Sequence, residues 1–187
     1  MNTIVTSQEA ILEACRELVE SRGLEALNIR AVAEKCGISV GAVYHYFPSK
    51  AELAAAAVAE IWRSIFHGDS CAPPPASFSS AVESVFESFR RGAEKYPRFF
   101  SAHSLLFAGS ERDGARRVME EAFCHMKEGL RAALHGDRTI PETAFSGELG
   151  EAEFVDFVFS ALLALLAREK SSCGGLLELI RRTVSSG

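Results

Sequence analysis

With 187 residues and 48% hydrophobic content, the chain has enough apolar material for a buried core and enough length for one domain or two small ones. Its formal net charge of -5 excludes a protein that coats nucleic acid by bulk attraction, because that mode needs many Lys and Arg to neutralise phosphates. Charge interrupts Met1 to Arg30 throughout, so no secretory leader is expected. The cysteines Cys15, Cys36, Cys71, Cys124 and Cys173 form no CxxC pair and read as reduced thiols of a cytoplasmic protein.

Thr6-Ser7-Gln8-Glu9 matches a capping box and predicts a helix start, with Thr6 as cap. Ile11, Ala14, Cys15, Leu18 and Val19 then form an apolar stripe, and Gly23 is placed to end the helix in a left-handed turn. Asn28 is the expected N-cap of the second helix and Ser39 of the third, while Ser49 with Glu52 makes another capping box. Between Asn28 and Lys50 the apolar residues Ile29, Val32, Ala33 and Cys36 precede Gly37, and Ile38, Val40, Val43 and Phe47 follow it. Helical spacing on both sides of a glycine turn predicts two helices meeting at a steep angle. With the first packed on the domain, the second protrudes, offering Ser39, Gly41, Ala42, Tyr44, His45 and Tyr46 to a major groove. Arg30, Lys35 and Lys50 against Glu34 give this stretch a local net charge of 3 - 1 = +2.

The fourth helix is expected from near Lys50 to about His67, with Leu53, Ala57, Ile61 and Ile65 on one face, and it is long enough to act as a lever. Pro73, Pro74 and Pro75 break the helical pattern and mark a domain boundary near residue 67. From Phe78 the spacing of Val82, Val85, Phe86 and Phe89 predicts a helix that stops at Tyr96-Pro97. Arg98 to Ala108 reads as a shorter helix, Gly109 and Gly114 bracket a turn, and Arg116 to Leu134 reads as another helix, closed by Gly136. The stretch to Gly150, with Pro141 and Gly147, is expected to be a mobile loop.

Phe154 to Ala167 is apolar all round except for Asp156 and Ser160, yet it covers only about 21 Å against a hydrocarbon core of about 30 Å, so no membrane span is expected. A helix so apolar packs on its own domain and on something else, most economically a second copy. Phe157, Ala161, Leu162 and Leu165, with Leu177, Ile180 and Val184 of a last helix after Ser171-Ser172-Cys173-Gly174-Gly175, are the candidate dimer interface.

Eleven of the thirteen phenylalanines follow residue 68. Phe86, Phe89, Phe99, Phe100, His103, Phe107, Met119, Phe123 and Met126 are the candidate lining of an apolar effector pocket, although such a stripe is also what an ordinary core requires. Glu121 and His125 share a helix face beside Cys124, but two ligands do not close a coordination shell, so no metal and no cofactor are expected. No GxGxxG, P-loop, HExxH or GxSxG is present, and catalysis is not expected.

From Thr6 to Trp62, and most densely over AVAEKCGISVGAVYHYFPSKAEL, the chain resembles the TetR-type bacterial transcriptional regulators. The resemblance implies an all-α fold. A three-helix helix-turn-helix DNA-binding domain (1–50) is joined by a connecting helix (51–67) to a helical effector-binding and dimerisation domain (68–187). It places Asn28 and Arg30 at phosphate or base, Val40, Gly41 and Ala42 at the groove-facing start of the recognition helix, Tyr44, His45 and Tyr46 after them, and Lys50 at the backbone. Tyr hydroxyls and a Lys at a helix start suit phosphate. Base choice would rest on Arg30, Ser39, His45 and DNA shape. The implied function is a homodimeric repressor on a near-palindromic operator of double-stranded DNA, released by a small, largely apolar effector. A DNA-bound platform for protein partners, with no effector, is the alternative.

Overall fold

The computed structural model describes residues 7–67, 75–97, 99, 113–141, 144–145 and 149–184. Among them it is all-helical, and two compact units appear: 1–68 with 92–122, and 69–91 with 123–187. The chain therefore does not divide at a single point near residue 67.

In the first unit, α1 (Gln8–Arg22), α2 (Ile29–Cys36), α3 (Val40–Tyr46) and α4 (Lys50–His67) follow one another with short connections. Each start carries its own cap. Ser7, not Thr6, caps α1, its hydroxyl accepting from the Ala10 N–H at 3.2 Å. The serine is the residue in extended conformation immediately before the first helical turn, and Thr6 lies outside the described residues. Asn28 Oδ1 accepts from Ala31 N–H at 2.9 Å and Ser39 Oγ from Ala42 N–H at 3.1 Å. Ser49 Oγ accepts from Glu52 N–H at 3.1 Å and donates to the Glu52 carboxylate at 3.2 Å. Caps of this kind are each worth about 1 kcal/mol.

Gly23 ends α1 at φ 83°, ψ 170°, an extended positive-φ conformation rather than the left-handed helical one, and its N–H donates to Val19 O at 2.8 Å. Gly37 does take the left-handed conformation (φ 67°, ψ 29°), and Ile38 N–H reaches back to Ala33 O at 3.0 Å. That six-to-one bond closes α2 and turns the chain into α3 within three residues. Ile11, Cys15, Leu18, Leu27, Val32, Ala33, Val43, Phe47, Leu53 and Ala57 pack into one core beneath α3. Further along α4, Ile61 and Trp62 are buried, with Trp62 edge-on to Phe99 at 5.5 Å. Tyr96 is fully buried beside Phe99, its hydroxyl 3.4 Å from Ser64 Oγ. These contacts tie Tyr96 and Phe99 to α4 in the first unit.

The second unit is built from α5 (Phe78–Lys95), α6 (Asp113–Gly136), α7 (Glu151–Ala167) and α8 (Gly174–Val184), the unit division falling inside α5 and α6. Gly114 lies within the first turn of α6 rather than in a turn before it. Likewise Gly174 and Gly175 open α8, with Ser172 Oγ accepting from Gly174 N–H at 3.1 Å. The Arg98–Ala108 helix of the sequence reading lies outside the described residues, Phe99 apart.

Asp137 pins the start of the stretch expected to be a mobile loop. It is only 9% exposed and accepts from Phe78 N–H at 2.8 Å, Thr139 N–H at 3.0 Å and Thr139 Oγ1–H at 2.6 Å. Burial raises its carboxyl pKa, but the three donors outweigh that and hold it below the ordinary value. No described helix is long and apolar enough to cross a membrane.

Candidate nucleic-acid interface

Two residues of the third helix and its cap anchor the candidate interface. Val43 is fully buried and Phe47 only 4% exposed, both in the core shared with α1, α2 and α4. Burying a side chain of this size stabilises by about 2 kcal/mol, and helical spacing then turns the remaining residues outward. Val40 is 39% and Tyr44 47% exposed. Ser39, Gly41, His45, Tyr46 and Lys50 are exposed as well, and Ala42 is half-buried. Tyr44 is thus a surface residue and Phe47 a core one.

Asn28 and Arg30, at the start of α2, are also exposed. Asn28 uses both ends of its amide: Oδ1 caps α2 and Nδ2 donates to Ala26 O at 3.1 Å, which leaves its second N–H. His45 and Tyr46 meet edge to face at 5.3 Å. The face so formed is aromatic and hydroxyl-bearing at one end and apolar at its start. Such a helix fits a major groove about 12 Å wide, with tyrosine hydroxyls for phosphate and apolar atoms for a base edge.

Sequence reasoning missed what becomes of Lys35. Its Nζ lies 2.6 Å from Glu17 Oε2 on α1, and hydrogen bonding with charge attraction from Lys35 lowers the Glu17 pKa. Glu17 comes one turn after Glu13 on the solvent side of α1, but nothing in its own neighbourhood names a partner eighteen residues away. Burial pushes the Cys15 thiol up to about 12 and raises that of half-buried Cys36 too.

A family model described as "Bacterial regulatory proteins, tetR family" matches residues 11–57, the span that holds most of α1, all of α2 and α3, and the first turns of α4. Over 172 residues, 88% of this chain and 75% of the relative, the chain is 30% identical to the HTH-type transcriptional repressor KstR of Rhodococcus jostii. The chain belongs to the TetR family of bacterial transcriptional regulators. The TetR-family regulator PfmR of Thermus thermophilus is similar in structure, with a TM-score of 0.58, 25% identity, and coverage of 88% of this chain and 86% of that one. The multidrug binding protein EbrR, solved with imidazole, shares the fold at a TM-score of 0.65 and 20% identity over 95% of this chain and 89% of its own.

Away from the interface the expected sites fare unevenly. Phe86 and Phe89 are fully buried, Phe89 against Phe159 at 6.3 Å, and Met126 is buried as well. Phe123 is half-buried, edge-on to Phe159 at 5.2 Å, and Met119 is half-buried. Phe99 packs in the first unit on Trp62. Phe100, His103 and Phe107 lie outside the described residues. Of the candidate dimer residues, Leu162, Ile180 and Val184 are buried inside the protomer, so they serve its own core rather than a partner-facing surface. Phe157, by contrast, is 68% exposed, Leu179 on α8 is 61% exposed, and Ala161, Leu165 and Leu177 are half-buried.

Proposed function

We propose that the chain is a repressor that binds a near-palindromic operator as a homodimer and is released by a small, largely apolar effector. The observation that carries the DNA-binding part is the outward face of α3, held on Val43 and Phe47 with Val40, Tyr44, His45 and Tyr46 exposed. The similarity to a transcriptional repressor over most of the chain supports repression as the sign. Exposed Phe157 on α7 and Leu179 on α8 support pairing through these helices, because large apolar side chains left in water favour association. Two α3 helices of such a dimer would enter successive major grooves, about 34 Å apart.

The effector would be taken up among the second unit's aromatic residues and displace α4, changing the spacing of the reading helices. A protein of the same fold, EbrR, accommodates imidazole. Linkage requires that operator lower effector affinity by the factor by which effector lowers operator affinity. Localisation would be cytoplasmic.

The test is a thermal-shift screen of apolar and cationic compounds, followed by titration of each stabilising compound into the protein on an operator selected from random duplex DNA. The expected result is a compound that raises Tm and releases the duplex. Stabilisation without release would remove the allosteric step, and no stabilising compound at all would favour a DNA-bound platform for protein partners. Sedimentation of Phe157→Asp and Leu179→Asp tests the dimer: both should shift toward monomer, and unchanged association would move the interface elsewhere.

A further inference from the structure

Three glycines lie between residues 7 and 67, and two of them explain themselves. Gly23 and Gly37 take positive φ at helix ends, where a Cβ is strained. Gly41 does not. It sits second in α3, outside the positive-φ region, and a Cβ built on it would meet only Ser39 Oγ at 3.8 Å, an ordinary contact. Alanine would fit there and is the better helix former, in a helix of only seven residues.

The chain itself therefore gives no reason for a missing Cβ at 41. On the helix surface the neighbours of Gly41 three and four residues on are Tyr44 and His45, both exposed, and Val40 beside it is exposed too. Whatever docks on this face meets a bare Cα. Val40, Gly41 and Ala42 also bring no hydrogen-bonding side chain. The major groove offers one apolar group to such a surface, the C5-methyl of thymine.

We propose that Gly41 is a specificity-determining residue: its missing Cβ admits a thymine methyl of the operator into van der Waals contact with the Cα, and a side chain at 41 would occupy that methyl's place. The inference rests on α3 being the DNA-reading helix and adds which group it reads and why this position is glycine.

The test pairs a protein bump with a DNA hole. The probe is the duplex that the wild-type chain enriches from a randomised library, and each of its thymines is replaced singly by deoxyuridine, which lacks only the methyl. Gly41→Ala is expected to melt at the wild-type temperature or up to about 3 °C above it. Its affinity for the all-thymine duplex should fall at least tenfold. At one symmetry-related thymine position, deoxyuridine should weaken the wild type by about fourfold, the value of one methyl, and strengthen Gly41→Ala severalfold. Unchanged affinity of Gly41→Ala would overturn the proposal. So would weakened binding that no deoxyuridine rescues, which would put the close approach at the DNA backbone or another base. A clear drop in Tm would assign the glycine to the fold and overturn it equally. If the wild type enriched no duplex, the DNA-reading role of α3 would fail, a failure distinct from that of the glycine's role.

Discussion

The two compact units start their helices by different means. In the first, α1 to α4 are each capped by a side chain three residues from the N–H it accepts: Ser7, Asn28, Ser39 and Ser49. In the second, α5 has a local serine cap, Ser80 N–H donating to Ser77 Oγ at 3.2 Å, but its first N–H is held by Asp137, 59 residues further on. Helix α7 starts at Gly150 with no side-chain cap at all. The starts of α1 to α4 are thus all written into their own sequence neighbourhood, whereas the start of α5 also depends on a distant part of the chain.

The largest effect that would sharpen this contrast comes from splitting α3 into its two faces. Phe47→Ala should destabilise the first unit by about 3–4 kcal/mol, because the ring is buried in the core, and DNA binding should go with the fold. Tyr44→Ala should leave thermal stability within about 0.5 kcal/mol while weakening operator binding, since the ring is half exposed. Equal losses of Tm in the two variants, followed by circular dichroism, would erase the distinction between an anchored and an exposed face.

Next in size is the distant cap. Asp137→Ala should cost about 1–3 kcal/mol, since it strands donors that now bond a carboxylate. The sign of its pH dependence follows from a folded pKa held below the unfolded one. Its stabilisation is fully present above the unfolded aspartate value of about 3.9 and is lost as pH falls through the lower folded value. Acid unfolding should therefore be less steep below about pH 4 in Asp137→Ala than in the wild type. Parallel acid curves would show that Asp137 contributes shape and not charge.

The smallest effect is that of a local cap. Ser39→Ala should cost about 1 kcal/mol, and Ser39→Gly only a few tenths, measured by urea denaturation. A loss near zero for Ser39→Ala would mean that α3 is held by Val43 and Phe47 alone, which would weaken the claim that the reading head is specified locally.

These differences also explain what was legible in the sequence. The helix-turn-helix could be read because every instruction lies within a few residues of its effect: Asn28 before α2, Gly37 at the turn, Ser39 before α3. Helix α5 was legible at both ends, from Phe78 to the Tyr96-Pro97 stop. Asp137 was not, although Asp-x-Thr after a helix-ending glycine is a pattern that bonds its own backbone two residues on. What it holds from 59 residues away has no local trace. For the same reason the apolar surround of α7 showed that some face must be covered, but not which. Burial of Leu162, Ile180 and Val184 within the protomer, with Phe157 and Leu179 outside, is decided by packing that periodicity alone leaves open.

The Lys35–Glu17 ion pair reaches beyond the fold into how the operator complex should respond to salt. Of the three cations between residues 28 and 50, this one is committed to α1, which leaves Arg30 and Lys50 to meet phosphate from that stretch. Two protomers would then release counterions at about four phosphates, giving a slope of log affinity on log salt near -3.6. That is roughly a hundredfold loss between 50 and 200 mM, a shallow dependence for a DNA-binding protein. Glu17→Gln would free Lys35 in each protomer and should steepen the slope by up to about two units, turning a surface contact between two helices into a setting of ionic sensitivity.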